Sequence, residues 1–163
     1  EYIAFLDCDD YWEINKIEVQ MNYMLVNGYD FSFTTYQVIN SNGKIVGKVK
    51  AREKLEYNEL LKSCDIGLSS VILKRKLLND IKFPELKTKE DFVLWLSLAK
   101  KSVNLFGLNK PLMFWRKTPN SLSSSILQKL KDAFTVYYLY EKKNFFYSIY
   151  CVIRLSIYAL LKK

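Results

Sequence analysis

A five-residue apolar run, Tyr2 to Leu6, ends abruptly in Asp7-Cys8-Asp9-Asp10. A continuous run of this kind fits a central strand of an α/β sheet, buried on both faces. In open α/β sheets ligands sit beyond the carboxyl ends of the strands, which is where these acids fall. Three neighbouring carboxylates repel one another unless a cation or hydrogen-bond donors hold them. Asp9 or Asp10 could cap a helix over the Trp12–Val26 segment, but one cap does not use three acids in four positions. In a chain of net charge +8, the cluster calls for a missing positive partner.

The residue inventory narrows that partner. The chain contains no histidine, and its three cysteines, Cys8, Cys64 and Cys151, are scattered without a C-x-x-C pair. This argues against a zinc site, a disulfide framework and Ser/Cys–His catalysis, and it fits a reducing, cytoplasmic setting. Acid–base chemistry then falls to carboxylates. An all-oxygen site suits a hard cation, Mg²⁺ or Mn²⁺, and such an ion would bridge to the oxygens of a diphosphate.

The 163 residues make about one domain, and with half of them hydrophobic the chain can bury a core. Ile14, Ile17, Met21, Met24 and Leu25 recur at helical spacing before the stop Asn27-Gly28. Phe31 to Tyr36 alternates as a strand and runs into the turn Asn40-Ser41-Asn42-Gly43 and a short Lys44–Val49 arm. Short helices are expected over 55–62 and 74–79, a strand over 68–73, and a helix over 88–101 with Phe92, Trp95, Leu98 and Ala99 on one face. Residues 103–107 and 111–116 read as two short strands and 118–125 as a loop. From Leu127 the pattern is helical to the end, with no internal repeat. The expected class is α/β. Glu1-Tyr2 leads straight into the first strand, so an N-terminal portion of the domain is expected to precede this chain.

Three stretches carry a family resemblance. "EYIAFLDCDDYWEINKIEVQMNYM" resembles the D-x-D region of family 2 glycosyltransferases, enzymes of the GT-A fold. "TKEDFVLWLSLAKK", residues 88–101, is similar to the family's E-D-x-x-L-W-L helix, and "PLMFWRKTPNSLSS", residues 111–124, to its closing P-L-x-x-Y-R … S-x-S segment. The resemblance implies a partial GT-A domain over 1–125: a mixed sheet flanked by helices, with the nucleotide-binding part missing. A helical tail over 126–163 would follow. It also implies roles. Asp7 would contact the ribose or sugar of a nucleotide-sugar donor, and Asp9 would bind the metal. Asp10 would orient the site, and Asp91 would be the general base, with Glu90 beside it. Trp95, in the motif helix, would contribute to substrate binding. Arg116 and Ser121 to Ser124 would close over the diphosphate or the acceptor, a glycan or lipid-linked sugar. The family's late metal-binding histidine has no counterpart here.

Other readings remain at this level. Thr88-Lys89-Glu90-Asp91 has the spacing of a capping box, a structural account of Asp91. A haloacid-dehalogenase-type phosphatase also ends a strand with D-x-D, although its motif continues into Gly/Thr or Thr/Val rather than Tyr11-Trp12. A non-catalytic basic module for nucleic acid or membrane would use the net charge, yet no nucleic-acid motif is present. In the tail, Phe145 to Leu161 is 17 residues with Arg154 as its only charge, flanked by Lys142-Lys143 and Lys162-Lys163. This length is marginal for spanning a bilayer. Two placements compete: a helix packed on the domain, and, preferred, one lying in the membrane interface at the cytoplasmic face.

Overall fold

The computed structural model describes residues 1–79, 81, 83–118 and 125–161. Its spine is a parallel pair, β3 (Phe31–Ile39) and β7 (Leu105–Arg116), in register from Ser32↔Phe106 to Ile39↔Arg116. With β1 (Tyr2–Ala4), β6 (Ile72–Lys74) and β2 (Tyr11–Trp12), the order across the sheet is β1-β6-β3-β7-β2. The arm β4 (Ile45–Val49) pairs with β3, and β5 (Lys54–Leu55) with β7, making seven strands among the described residues. The sheet is mixed, since β3 and β7 alone run parallel and every other pairing is antiparallel.

One expectation about strands changes. Among the described residues β1, which carries the opening apolar run, stands at one end of the strand order and pairs with β6 alone. Apolarity reports burial, and Ile3 and Phe5 do pack against the core, but it does not report which backbone edge is paired. The two strands expected over 103–107 and 111–116 are one strand, β7, whose register against β3 shifts around Thr35. Asn109-Lys110 forms the irregularity, and the Thr35 hydroxyl bridges it, donating to Asn109 Oδ1 at 3.0 Å and accepting from the Ala51 amide at 2.9 Å. Beside it, Gly107 permits a close crossing: a Cβ there would lie 2.0 Å from the Arg52 carbonyl oxygen.

Helix α1 (Lys16–Asn27) ends on Gly28 in the left-handed region, as the Asn-Gly stop requires. Its orientation is unexpected. The face turned to the sheet carries Lys16, Gln20 and Met24, while Ile14, Ile17 and Leu25 of the expected apolar stripe are exposed. Gln20 makes this possible by donating to the Ser32 hydroxyl (2.9 Å), the Ser32 carbonyl (3.2 Å) and the Ser70 carbonyl (3.0 Å). Neither Asp9 nor Asp10 caps this helix, which begins after Asn15 without a side-chain cap.

The core lies between the sheet and α3 (Glu90–Lys100), whose Phe92, Leu94, Trp95 and Leu98 are buried. A short helix, α2 (Tyr57–Leu60), closes one end. Beyond residue 125, α4 (Ile126–Thr135) passes through a π-helical turn (Val136–Tyr140), and a break at 141–144 separates it from α5 (Phe145–Leu161). These helices are fastened to the domain. Tyr137 and Arg154 both donate to the Leu61 carbonyl, at 2.9 and 2.7 Å, and Glu141 accepts from Tyr57 and pairs with Lys100.

Candidate active site

The acids after β1 form a turn, with the Asp10 amide donating to the Asp7 carbonyl at 3.1 Å. Ser69, fully buried in a 3-10 turn (Leu68–Ser70) just before β6, holds this turn from beneath. Its hydroxyl accepts from the Asp7 amide at 3.0 Å and donates to Asp10 Oδ2 at 2.6 Å, while its carbonyl accepts from Trp12 Nε1 at 2.7 Å. Arg116 holds it from the side. Its amide donates to Asp10 Oδ1 at 3.0 Å and its Nε to the Asp9 carbonyl at 3.1 Å. Both oxygens of Asp10 are therefore occupied by protein donors. Asp7 and Asp9 remain as the carboxylates the turn presents.

Electrostatics ties the turn to α3. Burial raises the pKa of Asp7, and the charge of Asp9 raises it further. Burial also raises Asp10, against the hydrogen bonds from Ser69 and Arg116. Asp91, in the first turn of α3, is pushed up to about 6, by burial foremost and then by Glu90. The Phe92 amide and Lys89 oppose this shift, and Asp7 adds to it, so Asp7 and Asp91 share one electrostatic neighbourhood. Tyr36 of β3 lies in the same field: burial raises its phenol first, followed by the charges of Cys64, Asp91 and Asp10.

The capping box does not form. Lys89 takes the cap position at φ 67°, and Thr88 turns away, donating its amide and hydroxyl to Asp132 Oδ2 at 2.9 and 2.8 Å. Asp91 instead accepts the amide of its neighbour Phe92 at 2.7 Å. Glu90 keeps one oxygen, Oε2, buried with no hydrogen-bond partner among the described residues. Trp95, expected at the substrate, has no exposed surface: it packs edge-on against Phe31 at 5.2 Å and Phe5 at 6.2 Å as part of the core. The motif resemblance suggests a place at the substrate, whereas its burial makes it a core side chain. Ser121 to Ser124 lie outside the described residues.

Among the described residues no three His, Cys, Asp or Glu side chains are grouped to hold a metal ion by themselves. Asp7 and Asp9 offer a hard, all-oxygen pair whose mutual repulsion a divalent cation would relieve. This donor set fits Mg²⁺ or Mn²⁺ provided that a ligand supplies the remaining oxygens.

The sequence profile described as "Glycosyl transferase family 2" matches residues 1–83, more than half the chain. The chain belongs to glycosyl transferase family 2. Among relatives of this family 2 chain, Escherichia coli WfgD, a UDP-Glc:alpha-D-GlcNAc-diphosphoundecaprenol beta-1,3-glucosyltransferase, is 43% identical over 83% of this chain and 53% of its own. Bacillus subtilis TuaG, a glycosyltransferase, is 34% identical over 99% of this chain and 65% of its own. The chain thus spans between about half and two thirds of the length of these relatives. The crystal structure of S. aureus TarS 1-349 in complex with UDP-GlcNAc superposes with a TM-score of 0.63 at 20% identity, covering 93% of this chain and 46% of that TarS 1-349 chain. That likeness establishes the shared fold, the mixed sheet with flanking helices expected of a GT-A domain.

Two residues that the structure sets against these acids, Ser69 and Tyr36, carry no mark of it in the sequence. The strand expected over 68–73 takes in Ser69, although Gly67-Leu68-Ser69-Ser70 has the small polar composition of a turn. Tyr36 was read only as one position of an alternating strand, and nothing local marks which face of that strand meets the acids.

Proposed function

We propose that the protein carrying this chain transfers a sugar from a nucleotide-diphosphate sugar to a glycan or lipid-linked acceptor, with inversion, in cell-surface polysaccharide synthesis. The observation that carries this reading is Asp91, a carboxylate raised to about 6 that shares its field with Asp7 of the acidic turn. A general base works best with a pKa near the working pH. Asp91 would take the proton of the acceptor hydroxyl as its oxygen bonds the anomeric carbon, while the bond to the diphosphate breaks on the opposite face. Asp7 would bind the donor's ribose or sugar, and Glu90 would border the acceptor. Arg116, anchored on the Asp9 carbonyl, would fix the turn and offer its guanidinium to the diphosphate. Asp9, with Asp7 beside it, would hold Mg²⁺ or Mn²⁺, which when bound supplies neutralisation of the leaving group's charge. The name of WfgD, which specifies a diphosphoundecaprenol-linked acceptor, supports a lipid-linked substrate.

The test uses the full-length protein with UDP-sugars and lipid-linked acceptors. Asp91→Asn is expected to retain donor binding by calorimetry while turnover falls about 10²–10⁴-fold. Asp9→Ala is expected to abolish divalent-dependent donor binding. Turnover that survived excess chelator would remove the metal, and an Asp91→Asn enzyme at full rate would remove the base.

A further inference from the structure

We infer that the outward face of α5 is a docking surface for an anionic phospholipid bilayer, entered side-on rather than spanned. The inner face of this helix is accounted for: Ser148 and Cys151 are fully buried, and Val152 and Leu155 pack against the core. The outer face carries Phe146, Ile149, Tyr150, Ile153, Ile157 and Leu160, a stripe at helical spacing in which Phe146 is 82% and Leu160 67% exposed. Amphipathic helices of soluble domains keep their outer face polar, whereas α5 is apolar on its outer face as well as on the face packed against the core. A contiguous apolar patch of this kind marks an interaction site.

Three observations select a bilayer as the occupant. The guanidinium of Arg154, the helix's only charge, is turned inward to the Leu61 carbonyl at 2.7 Å, which leaves the outer stripe uncharged. Residues 142–163 contain no acid, and in the sequence Lys142-Lys143 precede the helix and Lys162-Lys163 follow it, a charge pattern complementary to anionic headgroups. Lys142-Lys143 oppose a parallel face-to-face pairing of two copies, because these charges would then lie against one another. One face of α5 is held on the domain by Cys151, Val152, Leu155 and Arg154, so the fitting geometry is a helix lying in the interface plane, apolar face about 5–10 Å deep. The stripe continues toward α4 through the packed rings of Phe145, Tyr138 and Phe134. Only the nature of the acceptor rests on the proposed function; the surface stands without it.

The experiment is flotation of full-length protein with vesicles of phosphatidylglycerol and phosphatidylethanolamine, or of phosphatidylcholine alone, without substrates. Binding is expected on the anionic vesicles, weakened at high salt, and reduced more than tenfold by Ile153→Glu with Ile157→Glu. Both side chains are exposed, and circular dichroism checks the fold. Lys142→Glu with Lys143→Glu is expected to lose the anionic preference. Three results would overturn the inference. One is equal flotation by the glutamate variant. Another is no flotation by the wild type, as when the rest of the chain covers the stripe. The third is a wild-type dimer that the glutamates dissociate without changing lipid binding. Transfer to a water-soluble acceptor, assayed in parallel on the same variant, reports the catalytic reading separately.

Discussion

Asp91 and Lys16 are the two groups whose ionisation the fold disturbs most legibly, and they act in opposite directions. Asp91 rises from 3.8 to about 6, so between these values the native state holds a proton that the unfolded chain has released. Its contribution to stability is complete below about pH 4 and is lost as pH rises through 6. The same ionisation generates the base, so the rate is expected to climb through about pH 6. Thermal unfolding of Asp91→Asn should show a gain over wild type at pH 8 that shrinks at pH 5. A uniform loss at both would mean that Asp91 is a structural residue. Lys16 is fully buried, with its ammonium on Gln20 at 2.8 Å and 4.4 Å from the Trp12 ring centre, and burial lowers it to about 7. It therefore favours the fold increasingly from pH 7 toward 10.5. Ser69 sets geometry rather than charge. Ser69→Ala removes the hydroxyl that joins Asp7 to Asp10, and a misplaced turn is expected to lower kcat/KM about 10²-fold. Unfolding midpoints that stay near wild type would separate this effect from collapse of the turn. Such contacts join residues 62 and 59 positions apart, and no local pattern around Ser69 encodes them.

Local period identified most elements, because burying one face imposes 3.6 or 2 residues per repeat on a sequence. It placed α1, α3, β3 and the β4 arm, and with them the acidic turn and the start of α3. It did not orient α1, since a glutamine with three buried acceptors can replace an apolar contact and no hydrophobicity pattern records that exchange. Nor did it foresee that Thr88 would leave the α3 cap for a partner on α4. That partner, Asp132, is 4% exposed and also accepts from Gln128 at 2.9 Å, so it joins the helix carrying Asp91 to the C-terminal helices. Asp132→Ala would leave the Thr88 amide and hydroxyl buried without an acceptor. The expected cost is about 1–3 kcal/mol in urea unfolding, with a smaller loss for Asp132→Asn, which keeps one acceptor oxygen. Equal stability for alanine and wild type would show that water replaces the contact.

For the whole molecule, composition and motif order indicated an α/β domain of family 2, while the strand order lay beyond reach of the sequence. An apolar run fits either end or middle of a sheet, and the parallel pairing of β3 with β7 depends on everything folded between them. The net charge of +8 was of little use for function, as lysines spread over the surface define no groove. Where the tail alone was concerned, charge placement mattered: the bracketing lysines were visible, and the inward turn of Arg154 was not. The acidic turn has one further consequence, in time rather than space. Asp10 and the Arg116 amide that secures it are 106 residues apart, and Ser69 stands between them in the chain. At about 5–20 residues per second, a ribosome delivers Arg116 roughly 5–20 s after Asp10. The nascent chain thus carries Asp10 without its Arg116 partner over this interval, and the Ser69 hydroxyl that holds the other carboxylate oxygen emerges before the Arg116 amide does.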